Sequence, residues 1–135
     1  MLVLDSNTIS YYFRGDPCVV PHLHAVHPAE VGVPAIVEYE LRYGLLRLPR
    51  TAAAPRLAAL DQLLRPMRRL PFDAECAEHA ARLRATLEAV GTPIGPHDIL
   101  IAATALRHGA SLVTRNEREF ARVAGLKWVN WHAES

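Results

Sequence analysis

The stretch Met1-Leu-Val-Leu-Asp-Ser-Asn7 decides the fold, because four apolar residues run without interruption into a carboxylate. A short apolar run of this kind is typical of a strand buried on both faces of a parallel sheet. We expect Ser6, Asn7 or Thr8 to cap the helix that follows. Ligands of open α/β sheets bind beyond the carboxyl ends of the strands. Asp5 is therefore predicted to lie at the carboxyl end of a central strand, where ligands bind.

The composition is that of an ordinary globular protein. Its 135 residues, half of them hydrophobic and 21% charged, predict a single domain spanning residues 1–135. All but one of the 15 basic residues are arginine, which suits nucleic acid but also follows from a genome rich in G and C. The two cysteines form no disulfide framework. No signal peptide fits and no apolar run approaches the roughly 20 residues of a membrane span, so we expect a cytoplasmic protein without membrane association.

Hydrophobic periodicity divides the chain into alternating strands and helices. Strands are predicted at residues 1–4, 31–33, 68–71, 111–114 and 126–131. Helices are predicted at residues 6–14, from 17, at 35–48, 51–65, 73–90 and 96–109. In the helix that Asp73 caps, Leu87 and Val90 are expected to point inward. The order is close to βαα-βαα-βαα-βαβ, which favours an α/β fold with helices on both faces of a parallel sheet.

Three acidic residues stand where a strand ends or on helices beside such an end. Asp5 follows the first strand, Glu40 lies off the apolar stripe of its helix, and Asp98 lies in the first turn of a helix opened by Pro96. Each also has an ordinary alternative: Asp5 as a helix cap, Glu40 as a solvated side chain, Asp98 as a complement to the helix dipole. A further polar group, residues 114–119, follows the fourth strand.

Oxygen ligands that converge on one point favour Mg²⁺ or Mn²⁺ over Zn²⁺. Zinc prefers histidine and cysteine at set spacings, and no helix puts His22, His24 and His27 on one face. These histidines are therefore interpreted as surface residues. Magnesium held by carboxylates can activate water and stabilise the leaving oxygen of a phosphodiester.

Four segments, taken in order, resemble the motifs of PIN domains, and more closely those of VapC-type ribonuclease toxins of bacterial toxin–antitoxin pairs. They are Asp5-Ser-Asn7, Glu40-Leu-Arg-Tyr-Gly44, Ile94-Gly-Pro-His-Asp98 with Ile101-Ala-Ala103, and Val113-Thr-Arg-Asn116 with Glu119-Phe120. The resemblance runs from Met1 to Trp131. It implies a three-layer α/β/α sandwich with a mainly parallel five-stranded sheet. It also implies divalent-metal hydrolysis of RNA, with Mg²⁺ as the expected ion and Mn²⁺ as the alternative.

The resemblance also implies partners and site residues. The expected partners are RNA, a second copy in a homodimer, and a small VapB-like antitoxin in a larger hetero-oligomer. Asp5, Glu40 and Asp98 match the family's acidic positions and are expected to bind metal. Many PIN domains have aspartate where this chain has Asn116, but a similar subset has asparagine there and an acid three residues later. Glu119 is thus expected as the fourth catalytic acid, with the number of metal ions left open. A supporting shell is expected from three uncharged polar residues: Asn7, Thr114 and Asn116.

Two further groups of residues are candidates for contacts with RNA or with the antitoxin. RNA phosphates are expected on Arg14, Arg42, Arg47 or Arg115, each of which is equally well explained as plain surface charge. A groove for a partner helix is expected from five apolar or aromatic residues, or these belong in part to the core: Tyr11, Tyr12, Phe13, Leu45 and Leu46.

Other classes of protein share a carboxylate at the end of a first strand. Phosphoaspartate phosphatases need a second aspartate two residues on, where this chain has Asn7. Receiver domains need an acidic pair after the first strand, which is absent. A PIN-like RNA-binding module without catalysis is a further alternative beside the phosphoaspartate phosphatase, and a nuclease assay with EDTA separates the ribonuclease from both.

Overall fold

The computed structural model describes residues 1–133 as a five-stranded, fully parallel sheet with helices between the strands. The sheet order is β3-β2-β1-β4-β5. The strands are β1 (Leu2–Leu4), β2 (Val31–Pro34), β3 (Arg68–Leu70), β4 (Ser111–Val113) and β5 (Lys127–Val129). The first strand is central and the last is at an edge, as the sequence predicts. Glu134 and Ser135, the end of the predicted domain, lie outside the described residues.

Helices fill the connections between the strands, in the predicted order. They are α1 (Ser6–Phe13), α2 (Val19–His24), α3 (Ala35–Leu46), α4 (Arg50–Leu64), α5 (Ala74–Ala89), α6 (Pro96–Arg107) and α7 (Glu117–Phe120), with a 3-10 turn at Pro28–Glu30. All four residues of β2 are buried, which requires that both faces of the sheet be covered. The predicted α/β/α sandwich is therefore confirmed. Within residues 1–133, every helix is too short or too polar to cross a membrane.

The centre of the sheet holds the tightest part of the core. Val3, Leu4 and Val33 are completely buried, since their strands run through the middle of the sheet. Gly32 separates two buried valines of β2, and a Cβ atom there would come 2.7 Å from the Cδ1 of Leu70. Any larger residue at this position would therefore force the Leu70 side chain of β3 to shift.

Several sequence-based boundaries differ from the structure by one to three residues, and the differences at α1, α3 and α5 have a structural explanation or consequence. Asp5, rather than one of the residues after it, is the N-cap of α1, because its carboxylate accepts the amide hydrogen of Thr8. Helix α3 ends at Leu46, two residues earlier than predicted. Val90 lies beyond the end of α5 and is 68% exposed, so the prediction that it points inward is wrong.

Candidate active site

Asp5 lies at the carboxyl end of the central strand and is held by three hydrogen bonds. Its Oδ1 accepts from the backbone N and the Oγ1 of Thr8, at 2.9 and 2.6 Å. Its Oδ2 accepts from the Oγ1 of Thr114 at 2.6 Å, across the junction with β4. The side chain is 5% exposed. Asp5 therefore caps α1 and also presents a fixed carboxylate at the sheet edge, so the two interpretations of this residue coexist.

Glu40 on α3 is held from two other helices. Its Oε1 accepts from Ser6 Oγ of α1 at 2.9 Å, and its Oε2 lies 3.1 Å from His97 Nδ1 of α6. Sequence reasoning assigned no site role to Ser6 or His97. Each is the direct neighbour of a predicted acid, Asp5 or Asp98, and that adjacency was the available signal.

Asp98 and Glu119 form a hydrogen-bonded pair that shares a proton. Burial, followed by the hydrogen bond and the charge of Glu119, raises the pKa of Asp98 to about 8. The negative charges of Asp5 and Glu40 act in the same direction. The same hydrogen bond is the main cause that lowers the pKa of Glu119. Asp98 is therefore the member of the pair whose neutral form is favoured, and the three other predicted acids all raise its pKa.

The predicted supporting residues divide into two that reach the acids and one that does not. Asn116 Nδ2 donates to Glu119 Oε2 at 2.8 Å, and Asn116 N donates to Thr114 Oγ1 at 3.0 Å. Thr114 in turn donates to Asp5, which links the end of β4 to both ends of the acidic cluster. Asn7 is exposed and lines the neighbouring cleft instead.

The donor set of this cluster fits a hard divalent cation. Its four carboxylates repel one another, and the raised pKa of Asp98 records that repulsion together with burial. In the part of the chain that the structure describes, no trio of these acids brings one oxygen from each within 4.8 Å of both others. That spacing suits an ion such as Mg²⁺, which keeps several waters and takes only one or two carboxylates directly.

A cleft of about 620 Å³ opens beside Glu40, between α1, α3 and α4. Phe13 and Leu45 line it, as the sequence predicts for a partner groove, while Tyr11, Tyr12 and Leu46 lie elsewhere. Its other walls include two cations, Arg14 and Arg56, together with small and apolar residues. Gly44 also lines the cleft, and a Cβ atom at this position would meet nothing within 4 Å.

The predicted phosphate-binding arginines differ in how far they are already engaged. Arg42 pairs with Glu38 at 2.9 Å and Asp61 at 2.6 Å, so its charge is largely satisfied within the chain. The guanidinium groups of Arg14 and Arg115 each lie 5.7 Å from the ring centroid of Tyr11. These two remain candidates to contact phosphate.

Sequence comparison identifies the family. The PIN domain family model matches residues 2–126. The tRNA(fMet)-specific endonuclease VapC of Salmonella typhimurium is 30% identical over 129 residues, covering 96% of each chain. The VapC ribonuclease Y4jK of Sinorhizobium fredii is 35% identical over 136 residues, again covering 96% of each. The chain belongs to the VapC family of PIN-domain ribonucleases.

Solved structures agree with the VapC-family assignment. The chain matches DNA-bound VapBC from Salmonella typhimurium with a TM-score of 0.88 and 30% identity, covering 96% of this chain and 97% of that one. It matches FitAcB from Neisseria gonorrhoeae with a TM-score of 0.89 and 33% identity, covering 98% and 100%. The resemblance inferred from the four motifs is thereby confirmed at the level of the family and the fold.

Proposed function

We propose that this VapC-family chain is the toxin of a toxin–antitoxin pair and acts as a divalent-metal-dependent endoribonuclease. One observation carries the proposal: four acids from separate elements gather at the carboxyl ends of β1 and β4, where burial and the neighbouring carboxylates raise the pKa of Asp98. Gathering like charges in this way opposes folding unless a cation joins them. A cluster of this kind is typical of a functional site rather than of a structural one.

Asp5 and Asp98 are proposed as the main ligands, and Glu40 binds the ion directly or orients its water. Mg²⁺ is the expected ion and Mn²⁺ the alternative, because all the donors are oxygens. When bound, the ion supplies an activated water and stabilises the charge that develops on the phosphodiester.

The chain's own contribution is to hold the acids still before substrate arrives. Thr8 and Thr114 fix both oxygens of Asp5. Ser6 and His97 hold the two oxygens of Glu40 from opposite sides. Such partners of metal-binding groups orient them, and their loss typically lowers metal affinity or activity by about 10- to 100-fold.

Asp98 and Glu119 are also proposed to hold a proton between them until a cation binds. In the absence of a cation, Asp98 holds the shared proton and donates it toward Glu119, since burial favours the neutral form of Asp98. Binding of a cation requires the carboxylate and therefore releases this proton. Asn116 Nδ2 donates a hydrogen bond to Glu119 Oε2 at 2.8 Å and so helps to fix this carboxylate.

The substrate is proposed to be RNA, held in part by Arg14 and Arg115 beside the acids. Their position over the ring of Tyr11 leaves the outer side of each guanidinium available to phosphate. The Salmonella relative is named as an endonuclease specific for tRNA(fMet), which makes initiator tRNA the first RNA to test here.

Cleavage of that RNA by the purified protein tests the enzyme. We expect cleavage in Mg²⁺, none in EDTA, and loss of cleavage in Asp5→Asn. Glu78→Gln is the matched control, because Glu78 is an exposed acid on α5. RNA that stays intact with Mg²⁺ and Mn²⁺, or that is cut equally well in EDTA, would contradict the proposal. Binding without cleavage would favour the non-catalytic alternative.

A VapB-like antitoxin is proposed to place an apolar segment in the cleft beside Glu40. The neighbouring solved structures are VapBC complexes, and the cleft combines apolar walls with two arginines. We further propose a cytoplasmic homodimer that joins the antitoxin in a larger assembly. High expression of the chain alone is then expected to arrest growth, and expression of a small protein encoded beside it is expected to restore growth.

Gly44 allows a sharper test of where the antitoxin binds. Gly44→Leu is expected to fill the cleft and to weaken capture of the partner, measured as a dissociation constant. Gly44→Ala is the control, because the added methyl group meets nothing within 4 Å. Alanine is also expected to stabilise α3 by roughly 0.8–1 kcal/mol relative to glycine. Equal affinities for both variants would place the antitoxin elsewhere.

A further inference from the structure

Three different metal-ligating side chains meet where the loop after α1 approaches the turn after β5. Asp16, Cys18 and His132 each offer one ligand atom, and these atoms lie within 4.8 Å of one another. All three residues are half-buried. Asp16 and His132 are 116 positions apart in the chain. A short sequence motif therefore could not have predicted the cluster.

We propose that the Asp16–Cys18–His132 cluster is a binding site for Zn²⁺ that stabilises the fold and is separate from the four catalytic acids. A thiolate, an imidazole and a carboxylate are the donors that zinc prefers. The sulfur and nitrogen donors disfavour Mg²⁺, which selects oxygen. Three protein ligands leave a fourth position for water.

Two of the three ligands are already fixed by hydrogen bonds. Asp16 Oδ1 accepts from the backbone N of Cys18 at 2.8 Å and of Val19 at 3.1 Å, which leaves Oδ2 directed at His132. His132 Nε2 lies 3.0 Å from that Oδ2. The His132 backbone N donates to Asn130 Oδ1 at 2.8 Å, which fixes the turn that carries the ring. A zinc ion would replace the single hydrogen bond between Asp16 and His132.

The rearrangement needed to bind the ion is small. Zinc bond lengths of about 2.0–2.3 Å in a tetrahedron place ligand atoms about 3.3–3.6 Å apart. The Asp16–His132 separation of 3.0 Å therefore has to open slightly, and Cys18 has to move in by about 1 Å or less. Cys18 is a free cysteine that immediately precedes α2, and it loses its thiol proton to the solvent when the metal binds.

The site would join two segments that are distant in the chain. His132 packs edge-on against Tyr11, with ring centroids 4.9 Å apart, and its neighbour Trp131 stacks on His22 at 5.3 Å. Zinc would lock these contacts by tying the turn after β5 to the start of α2. The ring of Tyr11 also packs against Arg14 and Arg115, the two candidate phosphate-binding residues. A zinc ion bound to His132 would therefore also stabilise the position of the ring on which both arginines lie.

The test is metal binding by reduced, tag-free protein in excess Mg²⁺, which occupies the acids. Titration with Co²⁺ is expected to give one site with a thiolate-to-cobalt absorption band, and Zn²⁺ is expected to displace it. Zn²⁺ is also expected to raise the melting temperature of the parent. Cys18→Ser and His132→Gln are expected to lose both responses. Two controls are expected to keep them: His22→Gln, a neighbouring histidine outside the cluster, and Asp98→Asn, which alters the acids.

Each outcome decides for or against the site. A parent protein without a thiolate band, or a His132→Gln variant with an unchanged band and melting response, would overturn the proposal and leave a metal-free Asp16–His132 pair. Loss of the response in Asp98→Asn instead would assign the zinc to the acids. His132→Gln leaves the hydrogen bonds from the Cys18 and Val19 amides to Asp16 in place, so it remains informative if Cys18→Ser fails to fold. Failure here leaves the ribonuclease proposal unaffected, because that proposal is read from RNA cleavage.

Discussion

Two aspartates in this molecule sit in opposite electrostatic surroundings. Burial and neighbouring carboxylates raise the pKa of Asp98 to about 8. The hydrogen bond with His132, supported by amide groups at the start of α2, lowers the pKa of Asp16. The carboxylate of Asp16 thus has hydrogen-bond partners within the chain that stabilise its negative charge. Asp98 instead lies among carboxylates that disfavour its negative charge. Repulsion among the acids of the Asp98 cluster is relieved when a cation binds there, which is what a metal-dependent site requires.

The largest expected difference between the two clusters is in RNA cleavage. Asp98→Asn is expected to lower the cleavage rate by at least about 100-fold, since loss of a ligand exceeds the loss of a group that merely orients one. Asp16→Asn is the matched control, because it makes the same chemical change in the other cluster. Initial rates at saturating Mg²⁺ provide the measurement. Equal losses in the two variants would mean that the acids have no special role.

A smaller loss is expected from the two residues that hold Glu40. Ser6→Ala and His97→Gln are each expected to lower cleavage by about 10-fold, because Glu40 keeps one partner in either variant. The double variant is expected to lose more than either single variant. His79→Gln, an exposed histidine on α5, is the control. Unchanged rates in both single variants would show that the orientation of Glu40 does not limit the reaction.

The sequence predicted the positions that depend on local pattern. The apolar run before Asp5 sufficed to predict a central strand, and Pro96 sufficed to place Asp98 in a first turn. Which partners the acids find depends on how separate helices pack, and that is why Ser6 and His97 were missed as partners of Glu40. The contact between Asp16 and His132 joins the two ends of the chain, so no periodicity within one element could predict it.

The same two aspartates are expected to change stability in opposite directions when metal is removed. In EDTA at pH 7, Asp98→Asn is expected to melt higher than the parent, because folding of the parent requires Asp98 to take up a proton, whereas asparagine is neutral in both states. Asp16→Asn is expected to melt lower, because it weakens a favourable contact. For a domain of this size, about 1 kcal/mol corresponds to roughly 3–4 °C in melting temperature.

Thermal unfolding in a series of Mg²⁺ concentrations separates the two interpretations of Asp98. The parent is expected to gain about 1.4 kcal/mol when free Mg²⁺ is ten times its dissociation constant, and Asp98→Asn is expected to gain less. If Asp98 serves only the helix dipole, its loss lowers stability by about 0.3–1 kcal/mol instead. A variant that melts lower in EDTA, keeps the full response to Mg²⁺ and still cuts RNA would remove Asp98 from the site.

The last expected effect is the dependence of these differences on pH. Asp98 has a folded-state pKa of about 8 and an ordinary value of 3.8, so between these values the folded protein binds a proton that the unfolded chain does not. The free energy of unfolding therefore falls as pH rises through that window, and this contribution is fully present only below about pH 4. The advantage of Asp98→Asn in EDTA is thus expected to shrink from pH 7 to pH 5.

Asp16 is expected to behave differently, because its pKa is lowered in the folded protein. Its contribution to stability is lost only as pH falls below the ordinary value of 3.8. The loss of stability that Asp16→Asn causes by removing this carboxylate is therefore expected to persist at pH 5. Thermal unfolding of the parent and both variants at pH 5, 6 and 7 measures the two trends. An advantage of Asp98→Asn that grows toward pH 5 would show that the pKa of Asp98 is not raised in the folded protein.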